Sequence, residues 1–286
     1  MRVLVFGQTG QVARELMARA PADMVLTTLG RDKADLSDPA ACAAVVQGAK
    51  ADAIINAAAW TAVDDAEAAE DAATVVNAAA PTAMAQAAAD RGLPFLHIST
   101  DYVFDGAGST PFTPDHPTAP LGAYGRSKCA GEEGVRAAGG PHLILRTSWV
   151  VSAHGRNFVR TMLRLGATRP DLGVVADQTG GPTPAAAIAD ALFVAARAMA
   201  DGAAGGTHHF AGTPDITWAG FARAIMATAS LPCEIRDIPS SAYPTPARRP
   251  ANSRLDCTSL QAAFGIARPD WQAGLEAIVA ELNAGA

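Results

Sequence analysis

Apolar residues fall in short runs, separated by longer segments of mixed character. Residues 2 to 6 form one run, which stops at Gly7. A continuous apolar run bounded by glycine is the pattern of a strand buried on both faces, as at the centre of a parallel sheet. Residues 11 to 20 read as a helix, and Met24 to Leu29 as the next strand. Pro39 stands near the start of a helix carrying Val45 and Val46, where the missing N–H costs nothing. Ala53 to Asn56 predicts a third strand. Residues 67 to 90 are helical in composition, with Pro81 expected to bend or interrupt them. A fourth strand is expected over Pro94 to Ile98, a turn-rich segment over 105 to 120, a helix over Tyr124 to Ala137 and a fifth strand over His142 to Arg146. This alternation predicts an α/β fold with a doubly wound, Rossmann-like parallel sheet and right-handed crossovers.

After about residue 150 the rhythm weakens. Residues 156 to 165 and 185 to 200 look helical, Thr207 to Gly212 reads as one more strand, and a helix closes the chain from Trp271 to about Leu282. Proline and arginine crowd the stretch from Pro244 to Arg254. Residues 1–150 are therefore expected to form a dinucleotide-binding core that carries the catalytic residues. Residues 151–286 are expected to complete the sheet and build a small C-terminal substrate-binding lobe, interleaved with the core across a soft boundary.

Composition narrows the class. Hydrophobic residues make up 49% and charged residues 17%, which suits a compact alanine-rich globule rather than a disordered chain. The net charge is −6 and no basic run appears, so a nucleic-acid partner is not expected. The opening apolar run meets glycine too soon for a secretory leader, and no uninterrupted apolar stretch could span a bilayer. No membrane association and a cytoplasmic location are the resulting expectations. Cys42, Cys129, Cys233 and Cys257 are widely scattered and read as buried free thiols. His208 and His209 are adjacent, so on a strand they point to opposite faces and would not share an ion.

The first candidate for chemistry is Gly7-Gln8-Thr9-Gly10-Gln11-Val12-Ala13, between the first strand and its helix. Glycines here permit a tight turn and a close backbone approach, so that a pyrophosphate can rest on the N–H groups of the helix start. Gly7, Thr9, Gly10, Gln11 and Val12 are the expected contacts. After the second strand the sequence is Leu29-Gly30-Arg31, without the acid that usually takes a ribose 2′-hydroxyl. Arg31 could pair with a 2′-phosphate, which favours NADPH; a solvated surface arginine is the alternative. Asp35 and Leu36 would flank the adenine. The small side chains of Ala57, Ala58 and Ala59 would let the cofactor cross the sheet edge.

Tyr124 and Lys128 are four apart on a helix and therefore share a face. The lysine can favour a phenolate by its charge or hold a nicotinamide ribose, and the tyrosine can give a proton to a carbonyl oxygen as hydride arrives. Thr100, at the end of the fourth strand, supplies a hydroxyl for the developing oxyanion. Ser99 competes for this role, and Thr100 is preferred.

These motifs carry a resemblance. The chain resembles the extended short-chain dehydrogenase/reductase superfamily and, within it, the dTDP-4-dehydrorhamnose reductases, over nearly its whole length. The matching segments are Gly7 to Val12, Asn56 to Asp64, Ser99 to Gly106, Tyr124 to Lys128, Arg146 to Val150, Asn157 to Val159, Asp177 to Thr183 and Arg249 to Leu255. The run Thr100-Asp101-Tyr102-Val103-Phe104-Asp105-Gly106 and the late run Arg249-Pro250-Ala251-Asn252-Ser253-Arg254-Leu255 are the most specific. The resemblance implies reduction of the C4 keto group of dTDP-4-dehydro-6-deoxy-L-mannose to give dTDP-L-rhamnose. NADPH is the implied donor, with NADH often accepted. Thr100, Tyr124 and Lys128 become the catalytic group by the same resemblance. Val63 and Trp149 would line the sugar pocket, and Asp101, Asn157, Gln178 and Arg254 would contact the dTDP-sugar.

Some members of that family form a dimer around magnesium held by glutamates of both subunits. Glu15 resembles one such ligand, and Glu281 loosely matches another. Where a further glutamate is expected the chain reads Pro184-Ala185-Ala186. Alanine offers no oxygen ligand, so no metal is expected and Glu15 reads as a solvated helix residue. A homodimer without magnesium and a monomer both fit. Two other readings use the same scaffold. One is an NAD-dependent nucleotide-sugar 4-epimerase or dehydratase, but a dehydratase needs further acid–base groups and no glutamate adjoins Asp101. The other is a non-catalytic regulatory subunit of a methionine adenosyltransferase-like complex. Such a subunit has no use for Thr100, Tyr124 and Lys128 together.

Overall fold

The computed structural model describes residues 1–284. In the first half, β1 (Arg2–Phe6) leads into α1 (Gln11–Ala18), and β2 (Val25–Leu29) into α2 (Pro39–Gly48). β3 (Ala53–Asn56) is followed by α3 (Val63–Ala68), α4 (Glu70–Thr74), a π-helical turn over Val75–Ala79 and α5 (Ala80–Ala89). β4 (Phe95–Thr100) then leads to α6 (Ala123–Ala137) and β5 (His142–Thr147). The second half carries β6 (Val150–Val151), α7 (Phe158–Gly166), β7 (Asp171–Val175), β8 (Thr179–Gly180), β9 (Thr183–Pro184), α8 (Ala185–Ala200) and β10 (Gly206–His209). It ends with β11 (Ile216–Thr217), α9 (Trp218–Thr228), β12 (Glu234–Ile238), β13 (Asn252–Ser253), α10 (Thr258–Phe264) and α11 (Trp271–Ala284).

Six parallel strands form the main sheet, in the order β2-β1-β3-β4-β5-β10. Alternate residues of each strand face opposite sides. Val3, Val5, Ala53, Ile55, Leu96, Leu143 and Leu145 pack with Val12 and Leu16 of α1 and Ile188 and Leu192 of α8. Leu4, Phe6, Ile54, Phe95 and Ile144 pack on the other face with Val46 of α2, Met84 of α5 and Val135 of α6. Burial on both faces explains the nearly continuous apolar runs. The chain direction across the sheet reverses between β1 and β3, and the crevice at their carboxyl ends is where such sheets bind ligands.

The expected strands of the first half and helices α1 and α6 are present with ends shifted by one or two residues, whereas the helix expected over 67 to 90 starts at Val63 and breaks at Ala69. Pro81 lies in the first turn of α5, directly after the π-helical turn, so the interruption expected there is a widened turn. That turn presents Asn77, which is fully buried. Its Oδ1 accepts from Trp60 N at 2.8 Å, and its Nδ2 donates to Ser127 Oγ of α6 at 3.0 Å. In the second half, β10 extends the sheet beside β5 as expected. The parallel pair β7–β12 and helices α9 and α10 did not emerge from the sequence pattern. β7 is half-buried and finds its partner about 60 residues on, which no local periodicity reveals. With α7, α9 and α11 it surrounds a second core of Val159, Phe221, Ile225, Trp271 and Leu275. The four cysteines are buried and unpaired, and no helix of the described residues is long and apolar enough to cross a membrane.

One buried ion pair joins three central elements. Glu132 of α6 is 0% exposed and accepts from Arg146 of β5 at 2.8 and 2.6 Å and from Ser99 Oγ of β4 at 2.6 Å. Burial pushes its carboxyl up, but the hydrogen bonds and charge of Arg146 outweigh this and hold it below the usual range. Because the folded state has the lower pKa, this stabilisation is present above the unfolded value and is lost as pH falls through the folded one. Arg146→Met should cost about 3–5 kcal/mol in urea unfolding, because it strands a buried carboxylate. Adding Glu132→Leu should recover most of that loss. A single variant as stable as the native chain would show that the pair carries no such burden.

Candidate active site

Gly7 has φ 122°, a region open to glycine. A Cβ there would lie 3.3 Å from Ala13 Cβ and 3.3 Å from the Ala57 carbonyl. Ala57 N donates to Phe6 O at 2.9 Å, so the turns after β1 and β3 meet at backbone contact. Gly10 caps α1 without any side-chain hydrogen bond, and no acid lies in the first turn. The helix start is thus left with N–H groups for an anion. Thr9 and Gly10 are exposed, whereas the Val12 side chain is buried, so Val12 can offer only its backbone. Gln11 Oε1 accepts from Ser152 Oγ and Asn157 Nδ2, both at 3.0 Å, which ties the loop to the second half of the chain.

Arg31 is exposed beyond β2 and has no hydrogen-bond or ion-pair partner among the described residues. At Gly30 before it, a Cβ would lie 2.6 Å from Asp32 Oδ1 and 2.7 Å from Gln8 Oε1, so both of those side chains would have to shift to admit it. At the expected adenine flank, Leu36 is buried in the core with Leu4 and Phe6, because the apolar side chain turns inward. Asp35 Oδ1 accepts from Ser37 N at 2.9 Å.

Thr100 is the last residue of β4. Its Oγ1 accepts from Tyr102 N at 3.2 Å and donates to Asp101 Oδ1 at 3.1 Å. Tyr124, in the first turn of α6, is half-buried and packs edge-on against Tyr102 at 5.6 Å. α6 can lie this close because Gly125 has no side chain: a Cβ would be 2.2 Å from Tyr102 O. Burial pushes the Tyr124 phenol well up, the Thr100 hydroxyl pulls it back, and Asp101 and Tyr102 add to the rise. The phenol is therefore a proton donor at neutral pH. Asp101 is buried, its carboxyl is pushed up to about 6 by that burial, and its Oδ2 has no hydrogen-bond partner among the described residues.

Lys128 is 2% exposed. Its Nζ donates to Ile98 O at 2.7 Å and lies 3.1 Å from His97 Nε2. The expectation that its charge favours a Tyr124 phenolate is corrected, because the amine turns back to β4 instead. Burial pushes Lys128 down to about 8, with Glu132 pulling the other way.

Val63 opens α3 and is half-buried. Trp149 adopts φ 48°, and its ring stacks on Trp218 with centroids 3.5 Å apart and 11° between planes. Three expected sugar-nucleotide contacts have some of their polar groups engaged within the chain. Asn157 caps α7, accepting from Arg160 N at 3.1 Å, and its amide N–H groups go to Gln11 and to backbone carbonyls. Gln178 Nε2 donates to Ser240 Oγ at 2.9 Å. Arg254 donates to Ser109 O at 3.1 Å and lies 3.7 Å from Asp215. Several residues at the site were not singled out beforehand. Arg249 pairs with Asp64 at 2.7 Å and binds the late proline-rich segment to α3. His97 was visible in principle, as a polar residue inside an apolar strand.

Glu15 is also corrected. It is buried rather than solvated, and its ligand atom, with those of His154 and Glu281, lies in a cluster no wider than 4.8 Å. Burial pushes its carboxyl up, His154 lowers it and Glu281 raises it. Two carboxylates and an imidazole are a poor donor set for magnesium, which prefers oxygen ligands throughout.

A family model described as the RmlD substrate binding domain matches residues 1–284. The chain belongs to the dTDP-4-dehydrorhamnose reductase family. A dTDP-4-dehydrorhamnose reductase of Burkholderia thailandensis is 45% identical, covering 99% of this chain and 99% of that one. One from Sinorhizobium fredii is 43% identical, covering 98% and 97%. The crystal structure of the Bacillus anthracis dTDP-4-dehydrorhamnose reductase in complex with NADP superposes with a TM-score of 0.90 at 33% identity, covering 98% of this chain and 99% of that one. Gly7→Ala should raise the dissociation constant for NADPH roughly tenfold or more, since it strains the turn and pushes on Ala57. A fluorescence titration with an unchanged constant would contradict this account of the loop.

Proposed function

We propose that this protein reduces the C4 keto group of dTDP-4-dehydro-6-deoxy-L-mannose to give dTDP-L-rhamnose, in the cytoplasm, with NADPH as donor and NADH as a second donor. The observation that carries the reading is the placing of the Tyr124 phenol beside Thr100, at the carboxyl end of a parallel sheet whose switch point bears a glycine-led helix start with no side-chain cap. The bound nicotinamide would supply the hydride. The backbone from Gly7 to Val12 would hold the pyrophosphate, Arg31 a 2′-phosphate and Lys128 the nicotinamide ribose. Ala57 to Ala59 leave room along the sheet edge.

Tyr124 gives its proton to the substrate O4 as negative charge develops there, and Thr100 donates a hydrogen bond to the same oxygen. Val63, Asp101 and Trp149 shape the sugar side. In this reading residues 1–150 form the dinucleotide core, and residues 151–286 complete the sheet and supply the substrate lobe. No nucleic-acid or membrane partner belongs to this reading, and it is compatible with a homodimer.

Purified protein should oxidise NADPH only when the 4-keto sugar nucleotide is present. Tyr124→Phe should bind cofactor normally yet lose about 10²–10⁴-fold in kcat. An unchanged kcat would remove Tyr124 as the acid. Arg31→Ala should raise KM for NADPH far more than KM for NADH, and equal effects would end the 2′-phosphate role.

A further inference from the structure

Trp149 combines a costly backbone with a well-supported ring. It stands two residues beyond Thr147, the sheet partner of Thr100 at the carboxyl end of the strands. Its φ of 48° lies in the left-handed region, which a bulky residue adopts only where its surroundings impose it. Contacts of backbone and ring impose it here. The Trp149 carbonyl accepts from Thr183 N at 3.1 Å, and Val150 pairs with Thr183 in the β6–β9 ladder. The indole lies flat on Trp218, with centroids 3.5 Å apart and 11° between planes. Its edge passes close to Gly180 of β8, where a Cβ would be 2.8 Å from Trp149 Cε2 and 3.0 Å from Nε1.

Trp218 is itself firmly held. β11 pairs with β8 and ends at Thr217, opposite Thr179. Thr217 caps α9 by accepting from Gly220 N at 3.1 Å, so the helix begins at Trp218. Trp218 also meets Phe158, the first residue of α7, with centroids 4.5 Å apart. Phe158 is backed by Phe221 at 5.7 Å, and Phe221 packs edge-on against Trp271 at 5.2 Å, inside the second core. Trp149, by contrast, is only half-buried. Trp60 and Trp271 donate their Nε1–H groups to backbone carbonyls at 3.0 and 2.6 Å. The Trp149 Nε1–H has no acceptor among the described residues and is not one of their sealed, unpaired polar groups. A rigid indole with a spare N–H at its edge can take C–H groups on its face and a hydroxyl at that N–H.

We propose that Trp218 is a positioning residue for the sugar half of the substrate, holding the Trp149 indole as a preset wall of the sugar pocket. The proposal rests on the reading of Trp149 as a sugar-pocket residue. Without Trp218, Trp149 keeps its backbone hydrogen bond but loses the support of its ring. Substrate binding must then order the indole as well, which weakens affinity. The cofactor loop is tied to Asn157 and Ser152 rather than to the aromatic stack, so NADPH binding is independent of it.

The test compares dTDP-L-rhamnose with dTDP, which lacks the sugar, by calorimetric titration of the full chain. In Trp218→Ala, the dissociation constant for dTDP-L-rhamnose and the KM for the 4-keto sugar nucleotide should each rise roughly five- to tenfold. The dissociation constants for dTDP and NADPH should not move, and Trp218→Phe should recover most of the loss. Trp149→Ala should show the same pattern, and adding Trp218→Ala to it should change nothing further. Equal weakening of dTDP and dTDP-L-rhamnose would mean general damage to the lobe and would overturn the proposal. So would additive effects of the two substitutions, or native affinity for dTDP-L-rhamnose in Trp149→Ala. If Trp218→Ala does not fold, Trp218→Leu keeps the bulk without the flat face and is held to the same outcomes. Binding needs no turnover, so native protein that binds dTDP-L-rhamnose but does not reduce the 4-keto sugar would sink the functional reading and leave the role of Trp218 to the binding comparison.

Discussion

The candidate site depends on how closely α6 lies against the end of β4. Gly125 lets the helix backbone approach the Tyr102 carbonyl, and Gly131, where a Cβ would be 2.0 Å from Asn77 O, lets it approach the π-helical turn. At that distance one helical turn spans the strand end. Tyr124 meets Thr100 and Lys128 meets Ile98. A helix held even a methyl group further out could not bring both pairs together. The Glu132–Arg146 pair locks the same helix to β5 and β4 with charges that have no access to water. It is expensive to build and expensive to break, which suits a helix whose position must not vary.

The second constraint is the switch point of the sheet. Because the strand order reverses between β1 and β3, the turn at Gly7 and the strip from Ala57 open onto one crevice. Gln11 then carries that crevice across to the N-cap of α7, and Arg249 ties the late proline-rich segment to Asp64 at the start of α3. The elements around β7 and β12 keep a core of their own and are tied to the rest of the chain through a few polar links. Trp149 sits between the two parts with a left-handed backbone, backed by Trp218. Strain of that kind is tolerated where surrounding packing over-determines the position.

Much of this was legible in the chain. Apolar runs of four to six residues, each ending in a small or polar residue, outlined the central strands, and the spacing of Tyr124 and Lys128 placed them on one face. What stayed hidden was pairing at long range. The strand at Asp171–Val175 alternates weakly, and its partner lies far along the chain, so neither signals the other. The intrachain bonds of single polar residues were hidden for a related reason. Asn157, Gln178 and Arg254 have the chemistry of ligand contacts, and nothing local in the sequence shows that they also cap a helix or bridge loops. Glu15 looked solvated because its facing partners, His154 and Glu281, are remote in sequence. His97 and Asn56 carried the clearest unread signal, since polar side chains within doubly buried strands must find partners.

The central claim is that one site on this chain passes a hydride to C4 of a sugar nucleotide while Tyr124 supplies the proton. The most direct test is to react the 4-keto sugar nucleotide with NADPH deuterated at the transferable C4 position and to read the product by NMR. The account requires one deuterium on C4 of the sugar for each NADPH consumed, on a single face. Product formed without deuterium at C4, or a sugar altered with no net consumption of NADPH, would contradict it.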